Sequence, residues 1–282
     1  MLKGIFAFSG WNFIGATSGI LKRHGNNLVL NLFFGTVVNA AYGLATQVTS
    51  AVSSFSSGIQ NAINPQIIKQ YSVRNMDYMF QLVFNGSRAS FYLMMLVFVP
   101  VFLNTEDVLG LWLKEIPGHT TVFLQLSLIT CMIETWSGPL ITAMLATGDI
   151  KTYQLVVGGT DIMCLPLSYV CLRAGLAPMW VFLVMLIVSC VTLILRIVML
   201  KRMISLPSRQ FLMKIVIRSG FVCMISLVAS DLVCSYITVF ENTFWKVALN
   251  TCICVIISVV SVVVLDSTKS ERALVLSFIK RK

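Results

Sequence analysis

Between residues 27 and 71, a stretch apolar enough to enter a bilayer carries Asn31, Gly35, Asn39, Gly43 and Gln47 at four-residue intervals. On an α-helix, residues four apart lie one above the other, so this pattern draws a slowly winding edge of amides and glycines. An unpaired amide in hydrocarbon costs several kcal/mol, so the edge is expected to turn away from lipid. It faces either close-packed neighbours that the glycines admit or a water-filled cavity. The polar positions continue through Thr46, Ser50, Ser53, Ser54, Ser57, Asn61 and Asn64, further than a packing interface requires, which favours the cavity.

Around this stretch the apolar runs repeat at a length suited to crossing a membrane, for which about 20 residues suffice. Eight segments are read: 5–21, 28–55, 80–103, 120–146, 153–172, 178–200, 212–238 and 244–265. The pattern predicts an all-α membrane protein of about eight transmembrane helices with short connections. The first segment is diluted by Gly10, Asn12, Gly15, Thr17, Ser18 and Gly19, and its start resembles a signal peptide. No small-residue cleavage site precedes a mature soluble domain, so it is read as a span.

Composition supports the same class: 57% of the residues are hydrophobic and 11% charged, where a soluble domain has about a quarter charged. The net charge of +10 is spread over loops rather than gathered on one face, which excludes nucleic acid as a partner and points to membrane lipids. With the C-terminus in the cytoplasm, eight spans put the N-terminus there too. Fifteen Lys and Arg then flank the cytoplasmic side against five outside, namely Lys22, Arg23, Lys114, Arg173 and Lys246, with Arg196 inside the sixth span. Lys22 and Arg23 run against this trend. The tail 267–282 pairs an apolar run with basic flanks and is expected along the cytoplasmic surface.

The connections are expected to be simple. Pro65 should stop or kink the second helix, and 104–119 should hold a short interfacial helix with Trp112. Residues 147–151 and 173–178 are read as tight turns. All eight cysteines fall in spans and are read as small apolar residues; Cys252 and Cys254 lack the spacing and His partners of a metal or redox site.

Glu134 in the fourth span and Asp161 in the fifth are the acids to explain. A carboxylate at the bilayer centre costs about 2.5–3.5 kcal/mol on insertion scales, so both should face the bundle interior. They are read either as ion-coupling sites or as structural acids hydrogen-bonded to neighbours. Pro139, next to Gly138, should break the helix ladder near Glu134. Asn85, Ser87 and Arg88 open the third span, where Arg88 suits a phosphate by bidentate contact or snorkels to lipid headgroups. No HExxH, GxSxG, glycine-rich phosphate loop or acidic metal cluster is found, and His24 and His119 lack partners, so an enzyme, a cofactor and a metal site are not expected.

The run NLFFGTVVNAAYGLATQVTSAVSSFSSGIQNAINPQIIKQYS, followed by GSRASFYLMML, LGLWLKEIPGHT, SGPLITAMLATGDIKTYQ and LPLSY, resembles the Wzx-type O-antigen and polysaccharide flippases of the multidrug, oligosaccharidyl-lipid and polysaccharide exporter superfamily. The resemblance covers about residues 5–200. It implies a multi-pass protein of the bacterial inner membrane with cytoplasmic termini, moving undecaprenyl-pyrophosphate-linked oligosaccharide by alternating access. Family members have 12 to 14 helices in two bundles. Residues 1–205 resemble the second half-bundle, with 206–266 as two additional helices and 267–282 as the basic tail. A partner half, on the same polypeptide or another, is then expected. Under this reading Asn31, Asn39, Gln47, Asn85 and Arg88 line the substrate cavity, while Glu134 and Asp161 serve ion coupling by inference from burial. The alternatives are a multidrug or cation antiporter, a non-transporting assembly subunit, and a glycan polymerase, for which the 104–119 loop is too short.

Overall fold

The computed structural model describes residues 2–236 and 243–266, which form an all-helical membrane protein. The expected surface tail 267–282 lies outside the described residues. Among the described residues seven helical stretches are long and apolar enough to cross a bilayer, and the first, Ser9–Ser72, is bent into two limbs. The helices are α1 (Leu2–Ile20), α2 (Asn26–Ser72), α3 (Met76–Leu103), the short α4 (Thr105–Trp112), α5 (Thr120–Ala146), α6 (Gly159–Arg173), α7 (Met179–Ile204), α8 (Arg218–Tyr236) and α9 (Thr243–Leu265). Among the described residues three π-helical segments interrupt the ladder: Leu21–Gly25 joins α1 to α2, Gln154–Gly158 precedes α6, and Leu212–Ile217 precedes α8.

The largest departure from expectation is at the first turn. The polar run Lys22-Arg23-His24-Gly25-Asn26-Asn27 is not an outer loop. It continues the first helix through the π segment and into α2, and the chain turns instead at Gly35, with φ 74° and ψ −166°. That backbone region is open essentially to glycine alone. A straight helix would separate residues 23 and 42 by about 28 Å. The Tyr42 hydroxyl nevertheless donates to the Arg23 carbonyl at 2.8 Å, so the second limb folds back along the first. Asn31 therefore belongs to the limb before the bend and Asn39 and Gln47 to the limb after it. The amide edge is broken in two, and Lys22 and Arg23 leave the set of outer-loop cations.

Neither proline behaves as a stop. α2 passes through Pro65 and ends at Ser72, and α5 passes through Pro139. Proline removes the donor that would reach the carbonyl four residues earlier. For Pro139 that carbonyl belongs to Thr135, and the Gln60 amide donates to it at 3.3 Å. A methyl on Gly138 would collide with the same Gln60 side chain, so the small residue beside the proline is what lets α2 approach α5.

α5 is the central helix, packed by α2, α3 and α7, with Leu124, Leu128, Leu140 and Met144 fully buried in its faces. Trp136 stacks on Phe91 of α3 at 4.5 Å and donates to Ser219 of α8 at 3.1 Å, tying three helices together. α8 and α9 pack on each other and on α3. Asp266, 2% exposed just past α9, sits 3.9 Å from Arg88, pairs with Arg218, and accepts from Tyr92 at 2.6 Å. The expected short helix and the tight turns are present: α4 leaves Trp112 half exposed, and Gly148 and Gly175 take the left-handed conformation that ends α5 and α6.

Candidate functional site

The site begins with a lysine inside a helix. Lys22 lies in the π segment Leu21–Gly25, well over two turns from the Gly35 bend, with 7% of its surface exposed. A buried ammonium is tolerated only with close partners. It has them on three other helices. The Lys22 Nζ is 3.2 Å from Glu134 Oε1 on α5, 3.2 Å from Asp161 Oδ1 on α6, and 3.0 Å from Ser189 Oγ on α7. Ser189 in turn donates to Glu134 Oε1 at 3.0 Å.

A second cation completes the cluster. Arg196 of α7 places Nη2 4.0 Å from Asp161 Oδ2, and its other donors reach Ser137 at 3.1 Å and Tyr153 at 3.3 Å. One ammonium, one guanidinium and two carboxylates thus balance in the bundle interior, which offsets the cost of holding charge there. Both acids lie beside helix irregularities: the π segment Gln154–Gly158 lies just before Asp161, and Glu134 stands one position before the carbonyl freed by Pro139. Such π segments reset the direction of the side chains that follow and recur at functional sites. The π segment Gln154–Gly158 packs closely on α1, since a methyl on Gly15 would collide with Gln154 and one on Gly158 would meet Ser18 Oγ at 3.1 Å.

The cluster borders a cavity of about 420 Å³ between α2, α5, α6 and α7. Its hydroxyl wall comes from Thr46, Thr49, Ser50 and Ser53 on α2, at the 3–4 residue spacing of one helix face, with Ser127, Thr130 and Ser137 opposite on α5. Lys22, Arg23 and Arg196 supply cations and Glu134 and Asp161 acids. The Glu134 side chain is 51% exposed, so it opens into the cavity, whereas Asp161 at 14% stays behind Lys22.

The sequence-expected residues separate into two groups. Glu134 and Asp161, expected in the bundle interior, meet at one ammonium. Asn31, Asn39, Gln47, Asn85 and Arg88 do not line this cavity. Asn31, Gln47 and Asn85 are exposed on the outside of the described bundle, Asn39 is half-buried, and Arg88 turns to Asp266. The correction is one of face: the hydroxyl continuation Thr46, Ser50 and Ser53 faces the cavity, and Gln47 is about 100° round the helix from Thr46. Lys22, Arg23, Ser189 and Arg196 were not among the expected site residues. The signal for Lys22 was its conflict with the charge bias of the loops, and for Arg196 its place inside a span.

No family model, curated protein or solved structure matches this chain.

Proposed function

We propose that this chain is part of a flippase for lipid-linked oligosaccharide, an undecaprenyl-pyrophosphate glycan of the O-antigen or capsule type, in the bacterial inner membrane with both termini cytoplasmic. The observation that carries the reading is the intramembrane cavity in which three cations, Lys22, Arg23 and Arg196, stand beside a ledge of serine and threonine hydroxyls. Cations suit a diphosphate and hydroxyls suit sugar rings, each through hydrogen bonds weak enough to release the cargo. At about 420 Å³ the cavity is sized for a head group rather than a whole glycan. In this reading the outward amide edge of α2 packs against a partner bundle that supplies the facing wall, and Glu134 and Asp161 couple movement to an ion gradient.

The multidrug antiporter alternative suits an aromatic, acidic cavity. Here cations outnumber acids and Tyr42 and Phe182 are the aromatic residues in the lining, which favours an anionic cargo. Expression in a bacterium lacking its own flippase, alone and with a separately encoded half-bundle, tests the proposal. Restored surface polysaccharide, lowered about tenfold or more by Arg196→Ala at the 1.5–3 kcal/mol of a charged hydrogen bond, is the expected result. No polysaccharide from a membrane-inserted chain under either condition overturns it.

A further inference from the structure

We infer that the oxygens of Glu134, Asp161 and Ser189 form a monovalent-cation site whose resident occupant is the Lys22 ammonium. Three oxygens from three helices surround one nitrogen at 3.0, 3.2 and 3.2 Å, and two of them are carboxylates. That is the ligand chemistry of an alkali-cation site, hard oxygens with net negative charge, and a protonated amine satisfies it as a point charge. The tether matters because an ammonium held on the same chain meets these oxygens without the translational freedom that a free ion loses on binding. Sodium and potassium are therefore excluded from the two carboxylates while Lys22 is in place.

The wider surroundings support this assignment. Arg196 lies 4.0 Å from the far oxygen of Asp161 and Arg23 lines the same cavity, so a free metal cation would enter against two positive charges besides that of Lys22. Glu134, half exposed to the cavity, is the opening through which an ion would arrive. The remaining titratable side chains of the lining, Tyr42 and Cys131, are a phenol and a thiol, so Glu134 and Asp161 are its two carboxylates. This deepens the ion-coupling part of the proposed function: alkali cations are shut out of Glu134 and Asp161 for as long as Lys22 holds their oxygens. It rests on no property of the cargo.

Thermal unfolding of the detergent-purified chain in sodium, potassium or methylammonium chloride, each against choline chloride, tests the assignment without transport. The wild type is expected to be indifferent to all three. Lys22→Met should gain a saturable rise in Tm of several degrees with at least one of them, and Lys22→Met/Glu134→Gln should lose it. A Lys22→Met chain that is recovered folded only in one of these cations also supports the site. An equal rise in the wild type, no rise in folded Lys22→Met, a rise that survives Glu134→Gln, or a variant that none of the three cations recovers overturns it. A wild-type rise would leave ion coupling intact and remove the tethered occupant, so the two readings fail separately.

Discussion

The Gln60 side-chain nitrogen lies 3.3 Å from the Thr135 carbonyl oxygen, the acceptor that Pro139 strips of its own helical donor. An amide from one helix therefore repairs the ladder of another. Gln60→Ala should destabilise the chain by roughly 1 kcal/mol, the usual net worth of such a bond. Gly138→Ala should cost about the same, since the added methyl displaces the flexible Gln60 amide rather than backbone. The two effects share one bond, so the double variant should be much less destabilised than their sum. A double-mutant cycle on detergent unfolding midpoints checks this, and strict additivity would refute the shared bond.

Gly35 carries the turn between the two limbs of α2 at φ 74° and ψ −166°. Asparagine tolerates the left-handed helical region but not this one, so it should not substitute. Gly35→Ala and Gly35→Asn should both cost about 1–3 kcal/mol. Gly43→Ala, in regular helix with open space at its Cβ, should be neutral or stabilising by up to about 1 kcal/mol. Equal effects at the two glycines, measured as protease resistance in membranes, would argue that the bend lies elsewhere.

The same bend explains what could be read from the sequence and what could not. Span positions were legible because hydrocarbon thickness imposes length: the expected 120–146 coincides with Thr120–Ala146, and the expected 244–265 with Thr243–Leu265. The acids Glu134 and Asp161 were legible as interior residues because an exposed carboxylate in lipid is so costly. What local pattern hides is neutralisation at a distance. Lys22 looks like loop chemistry until Glu134, 112 residues away, is known to face it. A glycine between apolar residues, by contrast, gives no sign that it turns the chain. The α2 edge was half legible for a similar reason: a four-residue polar period marks a face that drifts around the helix, and the cavity takes the adjoining face of Thr46, Thr49, Ser50 and Ser53.

Asp266 anchors the last helix. It is buried, pairs with Arg218 and Arg88, and accepts from Tyr92, whereas Asp107 meets Lys246 at 2.8 Å with both side chains about a third exposed. Exposed pairs contribute about 0–1 kcal/mol. Asp266→Asn should cost about 1–3 kcal/mol, reduced from the full buried-pair penalty because Arg218 stays half in solvent. Asp107→Asn should cost less than about 1 kcal/mol. Comparable losses in Tm for the two variants would show that Asp266 is not the lock between α9 and the rest of the bundle.

Cys131 gives the cavity a native reporter. It lines the same space as Glu134 and Thr130, whereas Cys190 and Cys252 are exposed on the outer faces of spanning helices. Thiol reagents attack the thiolate, which forms where water reaches the sulfur and not in hydrocarbon. A charged methanethiosulfonate added to membranes should therefore modify a chain retaining Cys131 alone and leave chains retaining Cys190 or Cys252 alone untouched. With all eight native cysteines replaced, Thr46→Cys and Ser53→Cys should react as Cys131 does, because they share its cavity. Gln47→Cys, one position away but on the outward face, should react only where α2 borders a second water-filled space. Labelling of Gln47→Cys with protection of Thr46→Cys and Cys131 would rotate the helix by about 100° and move the passage to the amide edge. Protection of all four sites would mean that the cavity is dry, and the hydroxyl ledge would then be helix packing rather than a path for cargo.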